Sequence, residues 1–206
     1  MIKLYGIRMS NYYSLTKALL IEKGAEFEEV KAPPSQDEDY LARSPMGKMP
    51  SIEVDGRYLS ESLAVFHYLE NKYPEPALLP ADPFEAAKAL EIAYHVKLHV
   101  ELVARRCLPE LLFNKPVSDE TKEQVRDELG KGMKALARLL VCDPYAAGSD
   151  LTIADFYVFY SMGLASMLAK NVAGVDILAD QPDLAALLGR LAEHPSIARV
   201  SAEQAG

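Results

Sequence analysis

The residues of this chain that could do chemistry sit in a few short stretches. Within SNYYS, Ser10, Tyr12, Tyr13 and Ser14 put four hydroxyls where a short β-like run gives way to a helical one. A helix N-terminus carries unpaired amide donors and the positive end of the helix dipole, so hydroxyls there suit a bound anion. Further on, MGKMPSIEVDG places Lys48, Met49 and Pro50 directly before an alternating run, Ser51 to Val54, that ends in the turn dipeptide Asp55-Gly56. Proline cannot donate to a sheet, so a strand that opens on Pro50 marks a special turn. Glu61 and Ser62 then open an apolar helix. Taken singly, Glu61 reads as a first-turn acid, Ser62 as an N-cap and Lys48 as a solvated lysine.

Three other groups invite a chemical reading. Glu91, His95 and His99 recur every four residues on one helical face, the spacing of a metal pair with a third ligand. There is no HExxH and no second cluster beside them, so helix-surface or interdomain histidines are the better reading and no metal is expected. Arg105-Arg106-Cys107 either lines a substrate cleft or closes a helix before Pro109, where basic residues suit the dipole. Thr152-Ile153-Ala154-Asp155 has the form of a capping box, with Leu151 and Phe156 at the staple positions. Asp155 is therefore read as structural.

The elements that must position these residues follow from periodicity. Strands are expected at Lys3–Gly6, Phe27–Lys31, Ser51–Val54 and Arg57–Leu59, with helices at Tyr13–Lys23, Asp37–Ala42 and Ser62–Tyr73. Leu15, Ala18 and Leu19 form the core face of the first helix. The order βαβαββα implies a mixed sheet with a crossover. Prolines at 74, 76, 80 and 83 mark a linker, and the chain beyond reads as helix only. Leu90, Ala93, Tyr94 and Leu98 are expected to line one core face, and Val125, Leu129, Met133, Leu136 and Leu140 another. The expected division is residues 1–76, a linker at 77–84, and an all-helical domain at 85–206.

Composition narrows the function classes. The 206 residues are half hydrophobic and carry a net charge of −8, with the acids scattered, which argues against a nucleic-acid or anionic-membrane partner. The N-terminus MIKLYGIRMS lacks the features of a signal peptide, and the uncharged stretch Phe156 to Ala169 is too short to span a membrane. Cys107 and Cys142 form no CxxC and read as reduced thiols of a cytoplasmic protein.

A βαβαββα unit with a hydroxyl-rich first turn resembles thioredoxin-like domains. The turn here holds no cysteine, which excludes disulfide exchange at that position. More specifically, the chain resembles the soluble, cytosolic-type glutathione transferases over almost its whole length, in their serine-type, bacterial-like form. The resemblance rests on KLYG followed by Ser10, GKMP leading into SIEVDG, ESLAVFHYLENKYP, the Pro-rich linker, and SDLTIAD in the helical half. It implies a thioredoxin-like glutathione-binding domain, a helical domain that binds a small hydrophobic electrophile, a homodimer, glutathione as co-substrate and no metal.

By the same resemblance, Ser10 activates the thiol, with Asn11 as a supporting donor and Tyr12 and then Tyr5 as rivals. Met49, before a cis Pro50, presents its backbone to the cysteinyl part of glutathione. Lys48 faces the glycyl carboxylate, and Glu61 and Ser62 hold the γ-glutamyl end. Tyr94, Arg105 and Arg106 are candidates for the electrophile site. Isomerase, dehalogenase or peroxidase variants, and a non-enzymatic interaction module on the same fold, stay open.

Overall fold

The computed structural model describes residues 1–205. The chain divides into two compact units: Met1–Leu78 together with the C-terminal segment from Glu193, and Leu79–Ala192. In the first unit the elements run β1 Ile2–Gly6, α1 Asn11–Glu22, β2 Phe27–Lys31, α2 Glu38–Leu41, β3 Ser51–Val54, β4 Arg57–Ser60 and α3 Ser62–Lys72. The sheet order is β2-β1-β3-β4. β1 pairs with β2 in parallel across the α1 crossover, while β3 runs antiparallel to both β1 and β4. This is the mixed sheet expected from the sequence.

Strand alternation sends Ile2 and Leu4 to one face of β1 and Tyr5 to the other. Leu4, Leu15, Ala18, Leu19, Ile52, Val65 and Leu69 are all fully buried. At about 1.5–3 kcal/mol for each fully buried leucine, isoleucine or valine, their burial contributes substantially to the stability of the unit. On the opposite face Tyr5 packs with Ala32 and Tyr40, and Val30 lies against them.

In the second unit α4, Pro83–His95, passes through a π-helical turn at Val96–Glu101 into α5, Leu102–Ala104, and a 3₁₀ turn at Arg105–Cys107. Then follow α6 Leu108–Phe113, α7 Asp119–Leu139, α8 Ile153–Leu168 with a second π-helical turn at Ala169–Ala173, and α9 Pro182–Glu193. α4 begins inside the span assigned to the linker. Pro83 stands at its first turn, where the missing N–H breaks no helical bond, and Asp82 caps it by accepting from Phe84 and Glu85. No helix among the described residues is long and apolar enough to cross a membrane.

The core face expected along α4 forms only in part: Ala93 is buried and Leu90 half-buried. Tyr94 and Leu98 are 49% and 45% exposed, whereas Ala89, Ile92, Ala93, Val96 and Val100 are buried. Apolar residues lie on both faces of this segment, and the π turn shifts the spacing from Val96 onward, so periodicity alone misplaced part of the stripe. Along α7, in contrast, Val125, Leu129, Met133 and Leu136 are buried as expected, while Leu140, the last of that face, is half-buried at the C-cap, where the backbone has left the helix. Gly132 brings the backbones close, since a Cβ there would lie 2.2 Å from the His99 carbonyl oxygen.

The last helix, α10 Pro195–Ala205, falls within the 85–206 span expected to form the all-helical domain. It has 11 residues and packs on α1 within the first unit. Ile197 and Val200 supply its buried apolar contacts.

Candidate functional site

Sheet register collects the candidate residues. Tyr5 at the end of β1 pairs with Ser51 at the start of β3, and Ser51 pairs with Ser60 at the end of β4. The β1–α1 turn with Ser10, the approach to β3 with Lys48, Met49 and Pro50, and the β4–α3 junction with Glu61 and Ser62 therefore leave the sheet at the same end.

Ser10 is the N-cap of α1, with φ −84° and ψ 123°. Its Oγ accepts from the Tyr13 amide at 3.3 Å, and its carbonyl accepts from the Ser14 amide at 3.0 Å. A serine hydroxyl has one hydrogen and two lone pairs, so capping leaves the hydrogen for another acceptor. Asn11 and Tyr12 follow, both half-buried.

The neighbouring tyrosines differ. Tyr13 is buried, its hydroxyl donates to Glu29 Oε2 at 2.5 Å, and burial followed by that bond pushes its pKa well above the ordinary value. Its ring lies so close to Gly6 that a Cβ there would meet Tyr13 Cδ2 at 2.4 Å. Tyr5 is 6% exposed and donates to Glu53 Oε2 at 2.5 Å. Burial, then the hydrogen bond to Glu53, pushes its hydroxyl up to about 12. The Arg43 guanidinium stacks over both the Tyr5 and Tyr40 rings, 5.0 and 5.1 Å from their centroids.

The loop before β3 depends on Gly47. Its φ is +63°, and an added Cβ would lie 2.3 Å from the Ser35 carbonyl oxygen. Lys48 is exposed, and its carbonyl accepts from the Tyr40 hydroxyl at 3.4 Å. Met49 is half-buried and Pro50 buried, and the Met49–Pro50 peptide is cis.

At the β4–α3 junction the N-cap is Glu61, not Ser62 as the single-residue reading had it. Glu61 has φ +69° and makes no side-chain capping bond, and Ser62, 4% exposed, is the first helical residue. A positive φ in a non-glycine residue costs of order 1–3 kcal/mol and tends to be found at ligand-holding positions.

The candidates of the helical half are separately engaged. Arg105 Nε lies 2.6 Å from Oε1 of the fully buried Glu101, whose Oε2 accepts from Ser161 Oγ at 2.6 Å. Arg106 pairs with Glu128 at 2.8 Å, and the Tyr94 ring is half exposed. His95 Nε2 donates to the Gly132 carbonyl at 2.9 Å, the His95 and His99 rings lie tilted with centroids 4.9 Å apart, and Glu91 pairs with Lys88. Among the described residues no three His, Cys, Asp or Glu side chains gather as a metal-binding group.

The capping box is formed. Thr152 Oγ1 accepts from the Ala154 amide at 3.3 Å, and Asp155 Oδ2 accepts from the Thr152 amide at 2.8 Å. Asp155 also accepts from the Ala146 amide at 2.7 Å, tying the preceding loop to α8.

Sequence reasoning missed Arg8, Lys17, Glu29, Glu203 and Gln204, which surround the Ser10 turn. Lys17 is almost wholly buried. Its one visible signal was a lysine directly before the apolar run Ala18 to Ile21.

Comparison with known proteins fits this architecture. Residues 4–77 match the family model of the glutathione S-transferase N-terminal domain, and residues 108–204 that of the C-terminal domain. A glutathione S-transferase of Pseudomonas putida is 41% identical over 204 residues, covering 99% of this chain and 93% of that protein. A probable maleylacetoacetate isomerase of Drosophila melanogaster is 34% identical over 125 residues, covering 57% of this chain and 47% of that protein. Among solved structures, a Drosophila melanogaster glutathione S-transferase, isozyme E7, superposes with a TM-score of 0.83 at 26% identity, covering 100% of this chain and 92% of that one. The two matched domains and the full-length likeness together show that the chain belongs to the glutathione S-transferase family.

Proposed function

We propose that this chain conjugates glutathione to a small hydrophobic electrophile, with the Ser10 hydroxyl donating to the glutathione thiolate. A free thiol near its reference pKa of about 8.5 is only a few per cent ionised at pH 7, so the enzyme's task is to favour the anion. A hydroxyl at the N-terminus of α1 does this with one charge-assisted bond and the helix dipole. Asn11 adds a donor. The Met49 backbone faces the cysteinyl part, Lys48 the glycyl carboxylate, and Glu61 and Ser62 the γ-glutamyl ammonium and carboxylate. Tyr94, Arg105 and Arg106 stand as electrophile-site candidates, and a cytoplasmic homodimer completes the reading.

The observation that carries this is the sheet register, which brings Ser10, the Lys48–Pro50 segment and Glu61–Ser62 to one end of a single sheet. It supports an enzyme over a bare interaction module because each group suits a different part of one tripeptide. The test is calorimetric titration of glutathione into wild type, Ser10→Ala and Ser62→Ala, with conjugation followed in parallel. Wild-type binding, weakened by Ser62→Ala, and turnover lost in Ser10→Ala are expected. No binding by wild type would refute the reading.

The partial likeness to an isomerase favours one second reading: glutathione acts as a cofactor in isomerisation of a maleyl-type substrate. Turnover of such a substrate without consumption of glutathione separates the two.

A further inference from the structure

The C-terminal helix grips the turn that carries Ser10. Gln204 Nε2 donates to the Arg8 carbonyl at 2.6 Å and to Ser14 Oγ at 2.5 Å. In the other direction, Arg8 Nη1 donates to the Glu203 carbonyl at 3.0 Å. Ser10 lies between Arg8 and Ser14, so α10 holds the chain on both sides of it.

Beneath this lies a buried charge network. The Lys17 side chain, 3% exposed, bonds Glu29 Oε1 at 2.6 Å and also the Glu203 carboxylate. Glu29 in turn accepts the Tyr13 hydroxyl on its other oxygen. An ammonium so far from water is costly unless paired. β2 and α10 supply the two carboxylates, and Arg199 holds Glu203 at 3.0 Å from the next turn of α10. Burial pushes the Glu29 carboxyl up, but the bonds from Lys17 and Tyr13 together hold it below its ordinary value. For Glu203 the bond from Lys17 is the largest influence and acts in the same direction.

We propose that α10 is a positioning clamp for the Ser10 turn, with Lys17 as its buried hub and Gln204 as its direct hold. The proposal rests on the reading of Ser10 as the thiol activator. A hydrogen bond to a thiolate is directional, and misplacement of a catalytic group by about 1 Å can cost on the order of a hundredfold in rate. None of these positioning residues need touch glutathione. They keep the hydroxyl where the sulfur will lie.

The experiment uses the full-length chain with the double variant Glu203→Gln/Gln204→Ala, which alters half-buried and exposed positions and keeps the fold. Three readouts are compared with wild type: amide exchange at Tyr13, whose N–H bonds Ser10 Oγ, the pH midpoint of kcat/KM for the electrophile at saturating glutathione, and Tm. Faster Tyr13 exchange, a raised midpoint and a kcat/KM at pH 6.5 lowered roughly tenfold are expected. Lys17→Arg is expected to retain more of the wild-type midpoint than Lys17→Met. If Lys17→Met does not fold, the double variant still decides.

A lowered Tm with an unmoved midpoint would make α10 a purely structural strap and overturn the proposal. Ser10→Ala, measured in parallel, separates the two failures. An unmoved midpoint in the double variant beside a shifted one in Ser10→Ala overturns the clamp alone. An unmoved midpoint in Ser10→Ala overturns the serine assignment and the clamp's catalytic role with it.

Discussion

Replacing Ser10 tests two physical roles that can be separated by the choice of replacement. Its Oγ caps α1 by accepting from the Tyr13 amide at 3.3 Å, while its hydrogen is the proposed donor to the thiolate. Loss of the cap costs about 0.5–2 kcal/mol of stability in Ser10→Ala but only a few tenths in Ser10→Gly. Loss of a donor to a charged acceptor costs about 1.5–3 kcal/mol. At about 1.36 kcal/mol per pKa unit, that raises the thiol of bound glutathione by roughly 1–2 units. The sign follows because the donor favours only the anion.

The assay is thiolate absorbance of bound glutathione against pH, beside the pH profile of kcat. Both variants should show the same upward shift, and below the new midpoint each unit lowers the rate about tenfold. Their denaturation midpoints should differ, with Ser10→Gly nearer wild type. A thiol midpoint within about 0.3 unit of wild type in both variants would refute the donor role. A shift in Ser10→Ala with none in Ser10→Gly would make the cap, not the hydroxyl, the active feature.

Tyr5→Phe should leave the thiol midpoint unmoved while lowering stability modestly, because Glu53 loses the Tyr5 hydroxyl and keeps its pairing with Lys3. With its hydroxyl pushed up to about 12 from 10.0, Tyr5 in the folded chain keeps its proton where the unfolded chain loses it. Its contribution to stability is thus full below pH 10 and is lost as pH rises through 12, which alkaline denaturation of wild type and Tyr5→Phe should reveal. Gly47→Ala should weaken glutathione binding and destabilise by at least about 1–3 kcal/mol. Gly24→Ala serves as its control: φ is similarly positive, at +61°, but nothing lies within 4 Å of the added Cβ, so calorimetry should show normal glutathione binding. Thr152→Ala should cost about 1 kcal/mol as a lost cap, and Asp155→Ala more, because the Ala146 and Thr152 amides are both left unpaired. Urea denaturation checks the order.

What was legible in the sequence was whatever depends on neighbours along the chain. Strand alternation at Ser51–Val54, the Asp55-Gly56 turn and the Thr152–Asp155 box are local, and each formed where its pattern stood. The face of α4 was misread in part because apolar residues lie on more than one side and the π turn at Val96–Glu101 breaks the period. The placement of α10 was illegible for another reason. Lys17 can be buried only because Glu29 and Glu203 arrive from positions 12 and 186 residues away. No local pattern announces that this lysine has two carboxylates waiting.

Those same partners bear on which hydroxyl can serve a thiolate. Tyr5 and Tyr13 already give their hydrogens to Glu53 and Glu29. Turning either toward sulfur would exchange one anionic acceptor for another and take a hydrogen bond away from a carboxylate, which offsets the gain. Ser10 carries no such debt. Its oxygen accepts from the Tyr13 amide, which polarises the O–H bond and makes the hydrogen a better donor. Among the described residues the Ser10 hydroxyl is bonded to no carboxylate, so the hydrogen proposed for the thiolate is not one that Glu29 or Glu53 already holds.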